Sequence, residues 1–307
     1  MSSRALVVWQ LADGKRGHER QSEGLLTALA RRVPVEAYRV AVSPRHGAHI
    51  IDFLSARFPA GTALPDPDLL VGAGRACQFA LLAARRARGG RTVYLMRPNV
   101  PVGCFDTCIV PRHDTPPVHP HIIASEGPLN PLQPAQRRDP RQGLILLGGP
   151  SRHHRWDTPA VVAQVERIIG ANPDLDWQIT DSRRSPPALS AALARLDGPR
   201  VSFHSGSAVS DTWLPRVLST CGQAWVSADS MAMLFEALTA GAAVGLIEVP
   251  VRRRDRISAV ADQLAERGWV GRIGTPLATA PPVVLAEADR CAGLLLERWP
   301  ELAAASP

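Results

Sequence analysis

Short apolar runs of strand length alternate with helical stretches along the chain, and this alternation constrains the fold more than any other feature. In the first half the runs lie at 5–11, 33–40, 68–72, 91–96 and 105–110. The pattern restarts at Gly143, with strands predicted at 144–147, 177–180, 201–204, 224–226 and 243–248. Alternating strands and helices are typical of parallel sheets with right-handed crossovers. We therefore predict an α/β protein with two Rossmann-like domains.

The length of 307 residues supports the division into two domains. A proline-rich, aperiodic stretch at 115–141 separates the halves, and we interpret it as a last strand followed by a linker. The predicted domains are residues 1–140 and 141–283. The remaining segment, 284–307, is predicted to be a helix that packs back across the junction.

The basic charge of the chain admits an anionic partner. The net charge is +7 and the sequence pI is about 9.9. Basic residues are spread along the chain without a recognisable nucleic-acid-binding module, so we do not expect a nucleic acid partner. Nucleotide phosphates and anionic lipid head groups are the alternatives. Lys15 is the only lysine among 35 basic residues, so either a compact ammonium is needed there or it survives by chance.

The cysteines and the hydropathy exclude several other classes of protein. Five cysteines, without a CxxC pair, predict neither a disulfide scaffold nor a zinc site. No apolar run reaches the roughly 18 residues that a membrane span requires. Met1 leads into a strand without a charged region and a cleavage site, so no signal peptide is predicted. We expect a cytoplasmic protein, and peripheral contact with the inner face of the membrane stays open.

The loop after the first strand, ADGKRGHERQ, concentrates polar side chains between two glycines. Gly14 and Gly17 permit a tight turn where open α/β sheets bind their ligands. The loop carries Asp13, Lys15, His18 and Gln21. It has neither the Walker A spacing nor a GxGxxG pattern. A solvated loop is the alternative, but four functional side chains in nine residues favour a site.

The stretch QAWVSADSMAMLFEAL, residues 223–238, predicts a strand, a tight turn and a helix. Asp229 or Ser230 is the expected N-cap. The free N–H groups of the first helical turn, near Ser227 and Met231, favour a phosphate or another anion. Glu236 lies on an otherwise apolar helix and needs either water or a polar partner. An ordinary capped helix with a solvated glutamate is the alternative interpretation.

Other polar residues follow predicted strands at the same sheet edges. In the first half these are Arg97, Arg112, His113 and Asp114. In the second half Gly148, Gly149 and Ser151 are expected to turn backbone N–H groups toward a phosphate, and Thr180, Ser182 and Arg183 follow the next strand. Thr158 is the predicted N-cap of the first helix in this half. Arg252, Arg253, Arg254 and Arg256 form either a solvated face or a contact with an acceptor or a membrane.

Five ordered motifs resemble those of the mitochondrial fission protein family: DGKRGHERQSEGL, FDTCIVPRHD, LGGPSRHHRW, TDSRR and VSADSMAMLFEAL. Bacterial members of this family are described as glycosyltransferases. The resemblance implies two Rossmann-like domains with parallel sheets facing a central cleft (GT-B-like), the first domain binding an acceptor and the second a nucleotide sugar. It also implies that Glu236 contacts the donor ribose and that His18 lies near the reacting centre. The loop DGKRGH departs from the GGxGGH of enzymes that join sugars to lipid-linked precursors.

We therefore predict the transfer of a sugar from a nucleotide diphosphate sugar to a hydroxyl of a glycan or lipid-linked acceptor. The base is expected to be His18 or Asp13, with His113 as a further candidate. The groups expected to stabilise the negative charge of the leaving diphosphate are the helix N-terminus at Ser230, the glycine turn and Arg183. The absence of a DxD triplet at a strand end predicts metal independence, and no cofactor is expected. The alternatives are a nucleotide-sugar epimerase or hydrolase of the same fold, and a non-catalytic adaptor in membrane remodelling.

Overall fold

The computed structural model describes residues 4–43, 46–275, 277 and 284–303. The chain divides into two compact units. The first contains residues 1–131 together with 286–307, and the second contains residues 132–285.

The first unit alternates strands and helices from its first strand onward. Its elements are β1 (Leu6–Ala12), α1 (Arg16–Ala30), β2 (Val35–Ala41), α2 (His46–Leu54), β3 (Leu69–Ala73), α3 (Arg75–Arg88), β4 (Arg91–Leu95), β5 (Thr107–Pro111) and β6 (Ile122–Ser125). The strands form one parallel sheet in the order β2-β1-β3-β4-β5-β6.

The sheet of the first unit is covered by helices on both faces, which explains why β1 is apolar throughout. Leu6 and Val8 point into the core formed with α1, whereas Val7, Trp9 and Leu11 point into the core formed with α3. Strands buried on both faces lose the polar alternation of a half-exposed sheet. Sequence periodicity therefore identifies these runs as strands only through their length and their flanking turns.

The second unit repeats the alternation. Its elements are β7 (Asp139–Leu146), α4 (Thr158–Ala171), β8 (Asp176–Thr180), α5 (Pro187–Leu193), β9 (Val201–His204), α6 (Trp213–Leu218), β10 (Cys221–Ser227), α7 (Met231–Ala240), β11 (Ala243–Ile247), α8 (Val260–Glu266) and β12 (Gly271–Arg272). The parallel sheet has the order β12-β11-β10-β7-β8-β9. Successive residues of β7 again serve opposite cores, Leu144 and Leu146 on one face and Ile145 on the other. The prediction of an α/β protein with two Rossmann-like domains is confirmed.

The contacts divide the chain at different positions from those expected at 140/141 and 283/284. The second unit starts at Leu132, because Leu132 packs against its core and the Ala135 N–H donates to the Ala240 carbonyl oxygen. Two C-terminal helices, α9 (Glu287–Arg298) and α10 (Pro300–Ala303), belong to the first unit. Arg31, just after α1, forms an ion pair with Asp289 of α9 at 2.8 Å.

Helix α4 begins one residue before the position that its sequence indicates. The N-cap is Asp157 and not Thr158, since the Asp157 carboxylate accepts a hydrogen bond from the Ala160 backbone N–H at 3.0 Å. Both residue types are good N-caps, so the sequence offers two adjacent candidates.

Candidate functional site

In the first unit, Asp13 and His18 form a hydrogen-bonded pair in the loop between β1 and α1. Asp13 Oδ2 lies 2.8 Å from His18 Nδ1. The Asp13 side chain is 1% exposed and the His18 side chain is 22% exposed. A carboxylate at Nδ1 favours the tautomer with the proton on that nitrogen, so Nε2 is left as the basic atom of the neutral ring. This arrangement suits an imidazole that accepts a proton from a bound hydroxyl.

The loop after β3 makes room for this pair. Gly74 has a φ of +86°, and a Cβ atom there would lie 2.1 Å from His18 Nδ1. Strand β3 lies beside β1 in the sheet, so the two loops emerge next to each other. Gly74 is therefore required both for its backbone conformation and for the space it leaves to the imidazole.

Lys15 lies beside the pair and reaches into solvent. Its Nζ atom is 3.9 Å from Asp13 Oδ2, and its side chain is 70% exposed. Its backbone N–H donates to Asp13 Oδ1 at 3.1 Å, which fixes the carboxylate from a second side. The ammonium is thus available to an anionic group near His18.

Two further residues hold the loop in place. Gln21 is buried, and its Nε2 donates to the Gly17 carbonyl oxygen at 3.3 Å. Glu19, which the sequence analysis missed, accepts hydrogen bonds from the Gly14 N–H at 3.0 Å and from Arg39 at 2.9 Å. Gly14 has a φ of +78°, so the turn uses its conformational freedom. Nothing in the spacing of Glu19 distinguishes it from a solvated helix residue.

The residues after β4 and β5 lie further along the same sheet edge. The side chains of His113 and Asp114 are 8% and 6% exposed, and His113 Nε2 lies 3.9 Å from Asp114 Oδ1. Arg97 donates to the Asp114 carbonyl oxygen at 3.1 Å, and Arg112 pairs with Glu126 at 2.7 Å. Two strands separate β1 from β5, so these two strands lie about 14 Å apart at the usual strand spacing. His113 therefore follows a strand that is not a neighbour of β1 in the sheet.

In the second unit, the Asp229 carboxylate joins three loops. Oδ1 accepts a hydrogen bond from the Ser227 hydroxyl at 2.7 Å. Oδ2 accepts from the Gly149 N–H at 3.0 Å and from the Arg184 guanidinium at 2.9 Å. The Asp229 side chain is fully buried. Because these partners lie at the end of β10 and in the loops after β7 and β8, one carboxylate fixes the carboxyl edge of three adjacent strands.

This arrangement corrects the role expected for the glycine turn. The Gly148 N–H donates to Ser227 Oγ at 2.8 Å, and the Gly149 N–H donates to Asp229. The Ser151 N–H donates to the His154 carbonyl oxygen at 3.2 Å. All three N–H groups expected to face a phosphate are therefore occupied by protein acceptors. Glycine is still needed at 148, because a Cβ there would lie 2.2 Å from Asp229 Oδ2.

The start of α7 also differs in detail from the expectation. Ser230 is the N-cap residue, but its side chain makes no capping hydrogen bond, and the Asp229 carboxylate is used by the loops. The first N–H groups of α7, from Met231 onward, thus lack a side-chain cap. Glu236 is 7% exposed, so it is buried on α7 and is not solvated. Its predicted contact with a ribose stays a prediction.

After β8, the arginine that contacts the other loops is Arg184, whereas the sequence analysis assigned its neighbour Arg183 to the leaving diphosphate, an assignment that stays a prediction. Arg184 binds Asp229 and also donates to the Gly149 carbonyl oxygen at 3.1 Å. Both Arg183 and Arg184 are exposed. Ser185, also missed, donates to the Gly148 carbonyl oxygen and accepts from the Ser182 N–H. Thr180 is buried and donates to the Asp181 carbonyl oxygen at 3.3 Å. A loop has no periodicity, so the sequence could not show which arginine reaches the neighbouring loops.

The loop after β7 contains a buried histidine that the sequence analysis did not select. His154 is 3% exposed, and its Nδ1 atom has no hydrogen-bond partner among the described residues. Burial lowers the pKa of His154, with Asp229 acting in the opposite direction. Its neighbour His153 pairs with Asp255 at 2.7 Å. The pKa of Asp255 is lowered to about 2, and the largest cause is the hydrogen bond that its carboxylate accepts from the Ser258 backbone N–H.

Two features are absent from the part of the chain that the structure describes. No group of three His, Cys, Asp or Glu side chains in this part is arranged to hold a metal ion. None of the helices formed by these residues is long and apolar enough to cross a bilayer.

Comparison with known proteins identifies a family and a fold. The family described as mitochondrial fission ELM1 matches residues 16–299. A search of curated protein sequences finds no significant match.

Solved structures of similar fold cover nearly the whole chain. UDP-GlcNAc 2-epimerase from Methanocaldococcus jannaschii has a TM-score of 0.55 and 10% identity, covering 95% of this chain and 99% of that one. The complex of S. aureus MnaA with UDP has a TM-score of 0.53 and 12% identity, covering 98% and 91%. Acinetobacter baumannii MurG has a TM-score of 0.49 and 16% identity, covering 97% and 92%. The two structures above 0.5 support the assignment of two Rossmann-like domains.

Proposed function

The chain belongs to the mitochondrial fission ELM1 family, and on this premise we propose that it is a glycosyltransferase that uses a nucleotide diphosphate sugar as donor. The acceptor is a hydroxyl group of a glycan or of a lipid-linked saccharide. The observation that carries the proposal is the 2.8 Å contact between Asp13 and His18 at the carboxyl edge of the first sheet.

His18 acts as the general base in this proposal. The acceptor oxygen attacks the anomeric carbon, its proton passes to His18 Nε2, and the bond from that carbon to the diphosphate oxygen breaks with its electron pair. Asp13 holds the imidazole in the required tautomer and stabilises the imidazolium that forms. Asp13 is 1% exposed and already bonded to His18 and Lys15, so we assign it this supporting role and not that of the base.

The donor binds to the second unit, with its diphosphate at the start of α7. The uncapped N–H groups and the helix dipole favour negative charge there. Arg183, which is exposed after β8, keeps its assignment to the charge of the leaving diphosphate, whereas Arg184 is paired with Asp229. No metal ion is included in the proposal, so addition of a chelator should leave turnover unchanged.

The first test measures turnover and donor binding separately in the His18→Ala variant. We expect the variant to lose transfer by at least a hundredfold, as is usual on removal of a general base, and to bind donor as tightly as the wild type. The Asp13→Asn variant should lose less activity, because the base itself remains. Loss of donor binding with turnover retained in His18→Ala would contradict the assignment. A panel of nucleotide sugars with glycan and lipid-linked acceptors supplies the substrates.

Epimerisation or hydrolysis of a nucleotide sugar is the second candidate. It is favoured by the proteins of similar fold, which include a UDP-GlcNAc 2-epimerase and a complex with UDP. A His–Asp pair also suits proton abstraction from a sugar carbon. Incubation of the protein with a nucleotide sugar and no acceptor separates the two. A new sugar nucleotide or a free sugar would favour the second candidate. A non-catalytic adaptor would bind no nucleotide and would turn over none.

A further inference from the structure

Two loops rich in arginine flank the start of α7. One follows β7 and the other follows β11, and the sheet order β11-β10-β7 puts them on either side of the loop that leads from β10 into α7. We name as the arginine surface five of the exposed arginines of these loops: Arg152, Arg155, Arg252, Arg253 and Arg254.

The two loops are fastened to each other by backbone and side-chain contacts. His154 and Val251 form an antiparallel bridge. The Arg155 N–H donates to the Pro250 carbonyl oxygen, and the Arg252 N–H donates to the His153 carbonyl oxygen, both at 2.8 Å. The 2.7 Å hydrogen bond between His153 Nδ1 and Asp255 Oδ2 adds a side-chain link between the same loops. The backbone that carries the arginine surface is therefore held in place by these bonds, so the loops need not become ordered when a ligand binds.

The positive charge of this surface is not cancelled by its own loops. Among the residues that the structure describes, none of the five arginines forms an ion pair with a carboxylate. The loops contain three acidic residues, and all are engaged elsewhere. Glu248 pairs with Arg272, Asp157 caps α4, and Asp255 pairs with His153 and accepts from two backbone N–H groups. The surface can thus accept a strongly anionic ligand.

The start of α7 needs positive charge from outside its own loop. Arg184 is already neutralised by Asp229 at 2.9 Å. The helix terminus contributes about half an elementary charge, whereas a diphosphate carries two or more negative charges. The loops after β7 and β11 flank this point with uncompensated guanidinium groups.

His154 connects the arginine surface with the start of α7. The charges of Asp229 and Arg184 act on its imidazole, and so do those of His153 and Asp255. The ring is 3% exposed, and its Nδ1 atom has no hydrogen-bond partner within the described ranges. A buried polar atom without a partner is costly, and it marks this junction as a place where a ligand atom would complete the hydrogen bonding.

We propose that the arginine surface binds the diphosphate of the nucleotide-sugar donor and neutralises its charge as it leaves. This inference rests on the proposed function, since it assigns residues to the same donor. In this inference guanidinium groups bind the phosphates. The N–H groups of the glycine turn do not, because they already donate to acceptors in the neighbouring loops. Arginine suits this role because its planar fork donates two parallel hydrogen bonds to a phosphate.

The test measures the binding of UDP, inorganic pyrophosphate and uridine by isothermal titration calorimetry. The variants are Arg155→Ala and the double variant Arg252→Ala/Arg253→Ala. The matched control is Arg195→Ala/Arg200→Ala, which removes two exposed arginines of the same unit outside both loops. We expect UDP and pyrophosphate to bind about tenfold more weakly for each contacting arginine removed. Uridine should bind equally to all variants, and the control should match the wild type.

The outcomes separate this inference from the function on which it rests. If the wild type binds neither pyrophosphate nor any of UDP, ADP and GDP, the proposed donor site itself is refuted. If the wild type binds UDP and the loop variants bind it equally well, the inference is overturned while the function stands. If the loop variants lose binding to phosphatidylglycerol vesicles but keep their affinity for UDP, the inference is also overturned, and the surface is a membrane contact. Should the double variant not fold, Arg252→Ala and Arg253→Ala tested singly decide the question.

Discussion

Asp229 Oδ2 lies 2.9 Å from Arg184 Nη2 and 3.0 Å from the Gly149 backbone nitrogen, and the carboxylate is fully buried. A buried carboxylate is stable in a protein only when it is paired and hydrogen-bonded. Asp229 meets that condition by tying together the loops after β7, β8 and β10. The carboxylate of Asp229 therefore holds together the carboxyl edge of the second sheet. Groups that bind a ligand at this edge must come from residues that Asp229 does not occupy.

Replacement of Asp229 by Asn should destabilise the second unit. The amide cannot accept from Arg184, Gly149 and Ser227 as the carboxylate does, so a buried donor is left unpaired. We expect the free energy of unfolding to fall by about 2 kcal/mol, measured by urea denaturation. UDP should also bind more weakly, because the three loops are no longer held together.

The matched control for this substitution is Asp174→Asn, which makes the same chemical change at an exposed position before β8. It should leave the urea midpoint unchanged. Equal midpoints for the two variants would show that Asp229 does not organise the edge.

Replacement of Gly74 by Ala should displace His18. The new Cβ would lie 2.1 Å from His18 Nδ1, at a φ of +86°. Turnover should fall at least tenfold, because a small displacement of a catalytic group is costly, while donor binding to the second unit is retained.

Gly89→Ala provides the control for backbone strain. Gly89 has a φ of +77°, and a Cβ added there would meet no atom of the described residues within 4 Å. Both glycines combine a positive φ with a ψ near 180° (159° at Gly74 and −155° at Gly89), a region that only glycine adopts readily, so both variants carry a backbone cost of about 1–3 kcal/mol. Only Gly74→Ala should lose turnover. Equal activity in the two would mean that His18 is not held against Gly74.

The buried imidazole of His154 should make stability depend on pH. Burial lowers its pKa in the folded protein, so below the ordinary value of about 6.5 the unfolded chain binds the proton more readily. Stability should therefore fall as the pH decreases from 7 to 5. In His154→Gln the free energy of unfolding should fall less over this pH range, because the buried imidazole is removed. All other histidines are common to both proteins, so the difference reports on His154. Parallel urea titrations at several pH values measure the difference, and identical slopes would contradict the assignment.

The thiols should differ in their reactivity. Cys77, Cys108, Cys221 and Cys291 are buried, and burial raises the pKa of each to about 12. At pH 8 only about one such thiol in ten thousand is ionised. Cys104 is partly exposed. A disulfide reagent should label one thiol quickly in the native protein and none in Cys104→Ser. Rapid labelling of several thiols would show that the cores open readily.

Sequence reasoning located the loops of the candidate site better than the contacts within them. Asp13, Lys15 and His18 were selected because glycines and polar residues follow a strand, and the structure brings these three together. His113 follows a strand in the same way, but β3 and β4 separate its loop from the first one. Strand order depends on pairing between distant segments, which local patterns do not encode.

The second unit illustrates the same limit. The glycine turn and the polar cluster at Ser227 were found, yet their N–H groups and side chains bond to each other. The arginine that reaches the neighbouring loops is Arg184, a contact that the sequence analysis did not anticipate. In a loop without regular dihedral angles, adjacent side chains are distinguished only by the partner that reaches them, here Asp229.

The amino-acid sequence by itself determined the α/β class, the two Rossmann-like domains, the family and the loops that carry polar residues. These follow from strand length, turn residues and motif order, which are local properties of the chain. Tertiary structure alone decided that Asp13 bonds to His18, that Asp229 occupies the glycine turn, and that two arginine loops are joined through His154 and Val251. Such contacts arise where buried polar groups from distant segments satisfy one another, and only the folded chain brings them within hydrogen-bond distance.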